Sequence, residues 1–313
     1  MSLTLNTALA LLFLGLAAWT VFARDTFAAV AGFIPYGLLL TLVWLQLSAI
    51  DVAMTEAAIG AGLTGALLVG AASRLRRTEA TARADLPGLP TRVLAALAAI
   101  TVAGVIAVCV LALPEPSPTL APQVAANIAS TGVGNPITAV LLSFRAMDTL
   151  LEAVVLLFAL VGVWSLAPDR AWGGRPGPAQ PADPNGILAY FARVLPPIGI
   201  VVAIYILWVG ADDPGGKFQG ATILAAMWLL VMMAGLADAP PVSRTWLRTV
   251  LVAGPAVFIA IGFTGVAIAG AFLAYPEGYA KPLIVVIEVA LMPSLAMTLA
   301  LLLAGAPQRS TPP

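Results

Sequence analysis

Three charged residues open a long apolar run in "RAMDTLLEAVVLLFALVGVW": Arg145, Asp148 and Glu152. Their i, i+3, i+7 spacing places them on one face of a helix, with Glu152 roughly 10 Å deeper than Arg145 along the axis. Such a stripe is not suited to lipid, because a charged group within a span costs roughly 2.5–3.5 kcal/mol on insertion scales. Two chemistries fit it. In one, Arg145 and Asp148 form a structural salt bridge and Glu152 hydrogen-bonds a neighbouring helix. In the other, Glu152 holds and passes a proton, Asp148 exchanges charge with it and Arg145 tunes both.

Other carboxylates lie in apolar surroundings. "AIDVAMTEAAIGAGLTGALLVGAA" carries Asp51 and Glu56, and "KPLIVVIEVALMPSLAM" carries Glu288. Asp51 sits in the first turn of its helix, where capping of free N–H groups accounts for it. Glu56, a turn and a half further in, has no such role. The small residues after it permit close helix approach or a local distortion, with Gly62 and Ala66 spaced as a contact face. A last feature is "DDPGGKFQG", with Pro214, Gly215, Gly216, Phe218 and Gly220. It reads as a tight turn, and its glycines would also let backbone approach an ion.

The elements that must position these residues are membrane spans. Mean hydropathy is +1.00, 61% of residues are hydrophobic and 10% are charged, against roughly 25% charged in soluble domains. The expected fold is an all-α polytopic bundle of nine helices, near 3–23, 26–47, 50–72, 92–113, 144–166, 187–209, 218–237, 249–274 and 282–304. The first apolar run lacks a basic leader and is longer than a signal peptide needs, so it reads as a retained span. Alternate connections carry twelve arginines and the opposite set only Lys217 and Lys281, which orients the N-terminus outward and the C-terminus to the cytoplasm. A short interfacial helix is expected within 114–134. There is no internal repeat of the kind found in self-contained carriers. One cysteine, Cys109, and no histidine leave no cysteine cluster and no imidazole ligand, so no cofactor or metal is expected. Nothing basic enough for nucleic acid is present.

Several segments together resemble the Mrp (multiple resistance and pH) cation/proton antiporters. "SAIDVAMTEAAIGAGLTGALL" resembles the MbhD-type segment near the end of the large A subunit. "NPITAVLLSFRAMDTLLEAVVLLFALVGVW" is similar to the MbhE-type segment that follows it, with its arginine and D-T-x-x-E. "VLPPIGIVVAIYILWVGADDPGGKFQGATILAA" resembles the family's MnhB-like subunit, with its P-G-G-x-F-x-G turn. The resemblance implies domains at 1–85, 86–170 and 186–313. It carries the family's acidic positions onto Glu56, Asp148 and Glu152, with Asp51 heading the first motif. Lys217 departs from the usual third glycine of the turn, and around Glu288 the pattern changes to Ala290 and Pro293.

The implied function is that of an accessory, coupling subunit in a multi-pass bacterial cytoplasmic membrane complex, not an enzyme. It would contribute intramembrane carboxylates to an ion or proton path. Its partners would be large A/D-type and small C-type antiporter subunits, with Na+ or another monovalent cation and protons as cargo. In the family these helices resemble a small subunit of respiratory complex I and connect the ion path to neighbouring subunits. Both lysines are expected near the outer surface, with no buried Lys–Glu pair in this chain. The alternatives are the same module in a complex I-related hydrogenase or other redox-driven complex, and a scaffold whose charges only join helices.

Overall fold

The computed structural model describes residues 3–82, 88–116, 118–181 and 183–309. Helices α1 (Leu3–Phe22) and α2 (Thr26–Gln46) form a hairpin, its turn closed by Asp25, whose carboxylate accepts the Ala28 N–H at 2.9 Å. The third span is one rod in three parts: α3 (Ile50–Thr55), a π-helical stretch (Glu56–Leu63) and α4 (Thr64–Ala82). Helix α5 (Leu89–Leu111) follows, then the short α6 (Ala121–Thr131) inside the segment that calls for an interfacial helix. Next come α7 (Pro136–Ala139), a second π stretch (Val140–Phe144) and α8 (Ala146–Ser165). The chain ends in α9 (Ile187–Val209), α10 (Lys217–Met233), α11 (Thr245–Ala269) and α12 (Ala280–Ala304). Strands β1 (Arg175–Pro176) and β2 (Pro307–Arg309) pair antiparallel and tie the tail to the linker before α9.

The fold is the expected all-α membrane bundle. Among the described residues, eight helical spans are long and apolar enough to cross a bilayer. The ninth, α10, has 17 apolar-rich residues, about 26 Å of helix. The fifth span differs from its expectation. It enters at Pro136 rather than near 144 and breaks at Arg145, whose backbone (φ −131°, ψ 36°) is not helical. The Thr149 hydroxyl bridges the break by donating to the Leu141 carbonyl at 2.6 Å.

Helix α12 is the axis of the packed half. Thirteen of its 25 residues are buried, and it packs on α8, α10 and α11. Leu142, Phe258, Ile284, Ile287 and Leu291 fill one core, and Leu160, Leu247, Leu251 and Leu301 another. Pro293 lies inside α12 without ending it. The third span packs on α2 through Ala61 and Gly65: a Cβ on Gly37 would lie 2.9 Å from Ala61 Cβ, and one on Gly65 would lie 2.8 Å from Ile34. The expected contact face of Gly62 and Ala66 is therefore corrected by one residue of rotation. Those two instead border a 330 Å³ groove against Thr222 and Leu229 of α10.

Helix ends sort into two groups. Asp51, Asn135, Asp212–Lys217 and Lys281 meet at one end of the bundle. Arg175, Asp238 and Arg309 meet at the other.

Candidate functional site

The turn between α9 and α10 is where distant segments converge. Gly215 and Gly216 have φ of 156° and 126°. A Cβ on Gly215 would also stand 2.5 Å from the Ile206 carbonyl oxygen, so this backbone path demands glycine. The path turns the Gly215 N–H outward from its own hairpin, and it donates to Asp51 Oδ1 at 2.8 Å. The Asn135 amide lies 3.3 and 3.4 Å from the two Asp51 oxygens and also donates to the Asp213 carbonyl at 3.0 Å. Thr138 donates to the Gly210 carbonyl at 2.6 Å. Gln219 reaches back to Thr55 Oγ1 at 3.1 Å. Asp51 thus does not act as the cap of its own helix. The N-cap residue of α3 is Ala49, without a side-chain bond, and Asp51 instead clamps the third span to a turn 164 residues away.

One step beyond the turn, α10 begins at Lys217 with a glycine N-cap that has no side chain to offer. Glu288 of α12 takes that place: its Oε1 accepts the Lys217 N–H at 3.4 Å. The same oxygen lies 4.0 Å from Lys217 Nζ, and the two side chains are only 3% and 4% exposed. The expectation that both lysines lie near the surface, with no buried Lys–Glu pair in this chain, is overturned. Only Lys281 is accessible, paired with Asp212 at 2.6 Å. Lys217 lies at the same end of the bundle but points inward, because the Gly215–Gly216 path starts α10 beneath the turn. Its ammonium also sits 5.1 Å from the Phe218 ring centroid.

A cavity of about 390 Å³ opens beside this pair. Asp51, Thr55, Thr138, Glu152, Lys217 and Glu288 supply its main polar lining. Of the carboxylates singled out in the sequence, the fold therefore gathers Asp51, Glu152 and Glu288. Glu152 makes no hydrogen bond or ion pair among the described residues, whereas Asp51 and Glu288 are each engaged.

Two others stay apart. Glu56 folds over Gly60, where a Cβ would come within 2.3 Å of Glu56 Oε1, and faces Gly37 of α2 rather than the cavity. Arg145 and Asp148 form an ion pair at 2.5 Å, with side chains 69% and 52% exposed. The continuous stripe of Arg145, Asp148 and Glu152 is thus divided, because the helix break at Arg145 turns that residue out of register. In the turn motif, Phe218 packs on the core and Gly220 lets α10 approach the Ala203 carbonyl, while Pro214 is exposed.

Outside the spans, Lys281 holds the Asp212 carboxyl below its ordinary range. Arg309 and, more weakly, Arg175 do the same for Asp238. Burial pushes the Tyr275 hydroxyl up, and that hydroxyl donates to the Leu142 carbonyl at 2.6 Å. Sequence reasoning missed Lys217, Asn135, Thr138 and Gln219. For Lys217 a signal existed, a cation directly after two glycines in a chain with only two lysines. Asn135 also had one, since Asn-Pro marks a helix start, and its side chain does accept the Ile137 N–H at 2.9 Å.

Residues 11–77 match the family model MbhD, which describes the D subunit of MBH. Residues 187–306 match the domain related to the MnhB subunit of Na+/H+ antiporter. Together the two cover more than half of the chain. The chain thus joins an MbhD-like segment to a segment related to the MnhB subunit of Na+/H+ antiporter. No curated protein matches it. Among solved structures, a chain of the Mrp complex from Dietzia sp. DQ12-45-1b is similar over 98% of this chain, with a TM-score of 0.71 and 24% identity. This chain spans 35% of that one, about a third of its length. A chain of the membrane-bound sulfane sulfur reductase, an archaeal respiratory membrane complex, is similar over 69% of this chain and 99% of its own length, with a TM-score of 0.55 and 22% identity. Both likenesses concern the fold.

Proposed function

We propose that this chain is an accessory, coupling subunit of a multisubunit Mrp-type monovalent cation/proton antiporter in a bacterial cytoplasmic membrane, with its N-terminus outside and C-terminus inside. It contributes carboxylates to an ion or proton path beside separate large A/D-type and small C-type subunits. The observation that carries the reading is the shared cavity. The MbhD-like segment brings Asp51, the middle segment (86–170, MbhE-like) brings Glu152, and the MnhB-like segment brings Lys217 and Glu288. Asp51, Lys217 and Glu288 are buried there, and burying a charge costs free energy that joining helices alone does not require. Glu152, unengaged and accessible from the cavity, is the proton-bearing member. The exposed Arg145–Asp148 pair is the surface that a neighbouring subunit covers.

The test is Glu152→Gln in the assembled complex, which keeps shape and removes the titratable proton. Exchange in everted vesicles is abolished while the native-gel band is retained. Full exchange by an assembled Glu152→Gln complex would end the reading. The likeness to the sulfane sulfur reductase chain supports a second placement, the same module in a redox-driven complex. Co-purification in mild detergent separates the two, because only the second brings down a peripheral electron-transfer arm.

A further inference from the structure

We propose that the groove between the third span and α10 seats one acyl chain of an anionic phospholipid, with the headgroup held at its mouth by Arg74 and Arg309. The inference stands apart from the proposed function, because it concerns the arginine end of the bundle and not the cavity beside Glu152.

The groove exists because the third span is committed elsewhere. Its Ala61 and Gly65 pack on α2, so the face that carries Ala58, Gly62 and Ala66 turns to α10 without closing on it. Helix α10 presents Ala226, Leu229 and Met233 across the gap. The 330 Å³ between them holds one hydroxyl, that of Thr222, which already donates to the Phe218 carbonyl at 2.9 Å. Nothing else there offers water a partner. Gly62, Ala66, Ala226 and Met233 are exposed, so the groove opens sideways, where a bilayer supplies hydrocarbon. Ala58 to Ala66 covers roughly 12 Å of helix, so the space suits one chain and not a helix about 10 Å across.

Towards the arginine end the groove runs into a second space of about 310 Å³, and the two share Ala66, Leu229, Met233 and Leu303. Here the lining changes character to Arg74 of α4, Arg309 of β2 and Asp238. Arg74 is exposed and makes no ion pair among the described residues. Asp238 takes Nη1 alone from Arg309 and from Arg175, at 2.9 and 2.7 Å. Three arginines against one carboxylate leave the mouth positive, and the pairing of β1 with β2 keeps Arg309 there. Guanidinium groups match phosphate oxygens, and a basic pocket between helices at a membrane surface suits a lipid headgroup. A free phosphate would answer the arginines and leave the groove empty. A lipid without net charge would fill the groove and leave the positive mouth unanswered. An anionic phospholipid does both.

The experiment is native mass spectrometry of the full-length chain, purified in detergent and offered equal amounts of phosphatidylglycerol and phosphatidylcholine. Wild type should retain one phosphatidylglycerol in roughly tenfold preference, and Arg74→Gln should lower that retention about fivefold. Ala66→Phe, which fills the groove and leaves Arg74 in place, should lower it as well. Ala226→Phe repeats the measurement from the α10 side if the first variant does not fold. Ala98→Phe, on the uncovered α5, should behave as wild type, and excess inorganic phosphate should not displace the lipid. Equal retention of the two lipids overturns the inference, as does retention unchanged by Arg74→Gln or by a folded groove-filled variant. The groove is then ordinary lipid-facing surface or the seat of another subunit's helix. Displacement by inorganic phosphate overturns it too, because the arginines would then bind a free anion.

Discussion

Helices α12 and α5 are built from nearly the same apolar residues and have opposite surroundings. Of the two, α5 has the higher hydropathy, 2.8 against 2.2, yet none of its residues is buried, while α12 is the most buried span of the molecule. The difference lies in what each helix offers a neighbour. Helix α12 presents Glu288 to the start of α10 and Ser294, which donates to the Leu251 carbonyl of α11 at 2.6 Å. It also meets Gly254, where a Cβ would lie 2.9 Å from Ser294 Cβ. The hydroxyl of Thr101 in α5 returns to its own Leu97 carbonyl, and Gly104 faces open space. In a bilayer, hydropathy brings a helix into lipid but does not bring it to another helix. Polar bonds and close-fitting small residues do that.

The comparison can be broken at four places. The largest effect belongs to Glu288→Ala, which leaves the Lys217 ammonium buried without its counter-charge. A loss of about 3–5 kcal/mol is expected, read as a lowered melting temperature of the detergent-purified chain. Adding Lys217→Met to that variant should recover much of it. Next, Leu291→Ala in α12 should cost about 2–5 kcal/mol, whereas Ile100→Ala in α5 should change stability by less than about 0.5 kcal/mol. If the two were equal, the contrast between the helices would collapse.

Smaller still is Gly215→Ala. The strained φ and the approach to the Ile206 carbonyl predict a loss of about 1–3 kcal/mol, and the Asp51 clamp loosens with it. Faster hydrogen exchange in 210–217 and in the first turn of α3 would register that loosening together.

The mildest test concerns the far end, where Asp238 holds Arg175 and Arg309 at 2.7 and 2.9 Å. Its folded-state carboxyl is shifted downward, so the tether is fully present above the ordinary Asp value of 3.8 and is lost as pH falls through the lower folded value. Limited proteolysis should therefore release the tail at strongly acidic pH in wild type. Asp238→Asn should release it already at neutral pH.

Much of this fold was legible because each span needs a long apolar run, and "KPLIVVIEVALMPSLAMTLALLL" or "LPTRVLAALAAITVAGVIAVCVL" can do little else. Contacts across the bundle were not legible, because Asp51 and Gly215 are joined only by the geometry of the bundle. A carboxylate in a first helical turn reads as a cap whichever N–H it finally binds. The helix break at Arg145 was equally hidden: "LLSFRAMDTLLE" has no proline or glycine to announce it, and it depends on the preceding π stretch and the Thr149 bridge. Lys217 was visible but misplaced, since a lysine beside a turn is exposed unless the turn feeds its helix inward.

The π stretch Glu56–Leu63 has a mechanical meaning of its own. At its end the Thr64 N–H reaches the Ile59 carbonyl, five residues back instead of four. Passing from that register to the ordinary one is a screw motion of a single step, about 100° of rotation for everything beyond it. Such a step would carry Gly65 off Ile34, bring a neighbour such as Ala66 towards its place, and re-aim the span beyond Leu63 without moving its start. Asp51 grips the upper end, Glu56 is seated over Gly60 at the thread itself, and Ala61 is stopped by Gly37. The third span is a threaded rod locked at one setting, and one of its stops is a carboxylate.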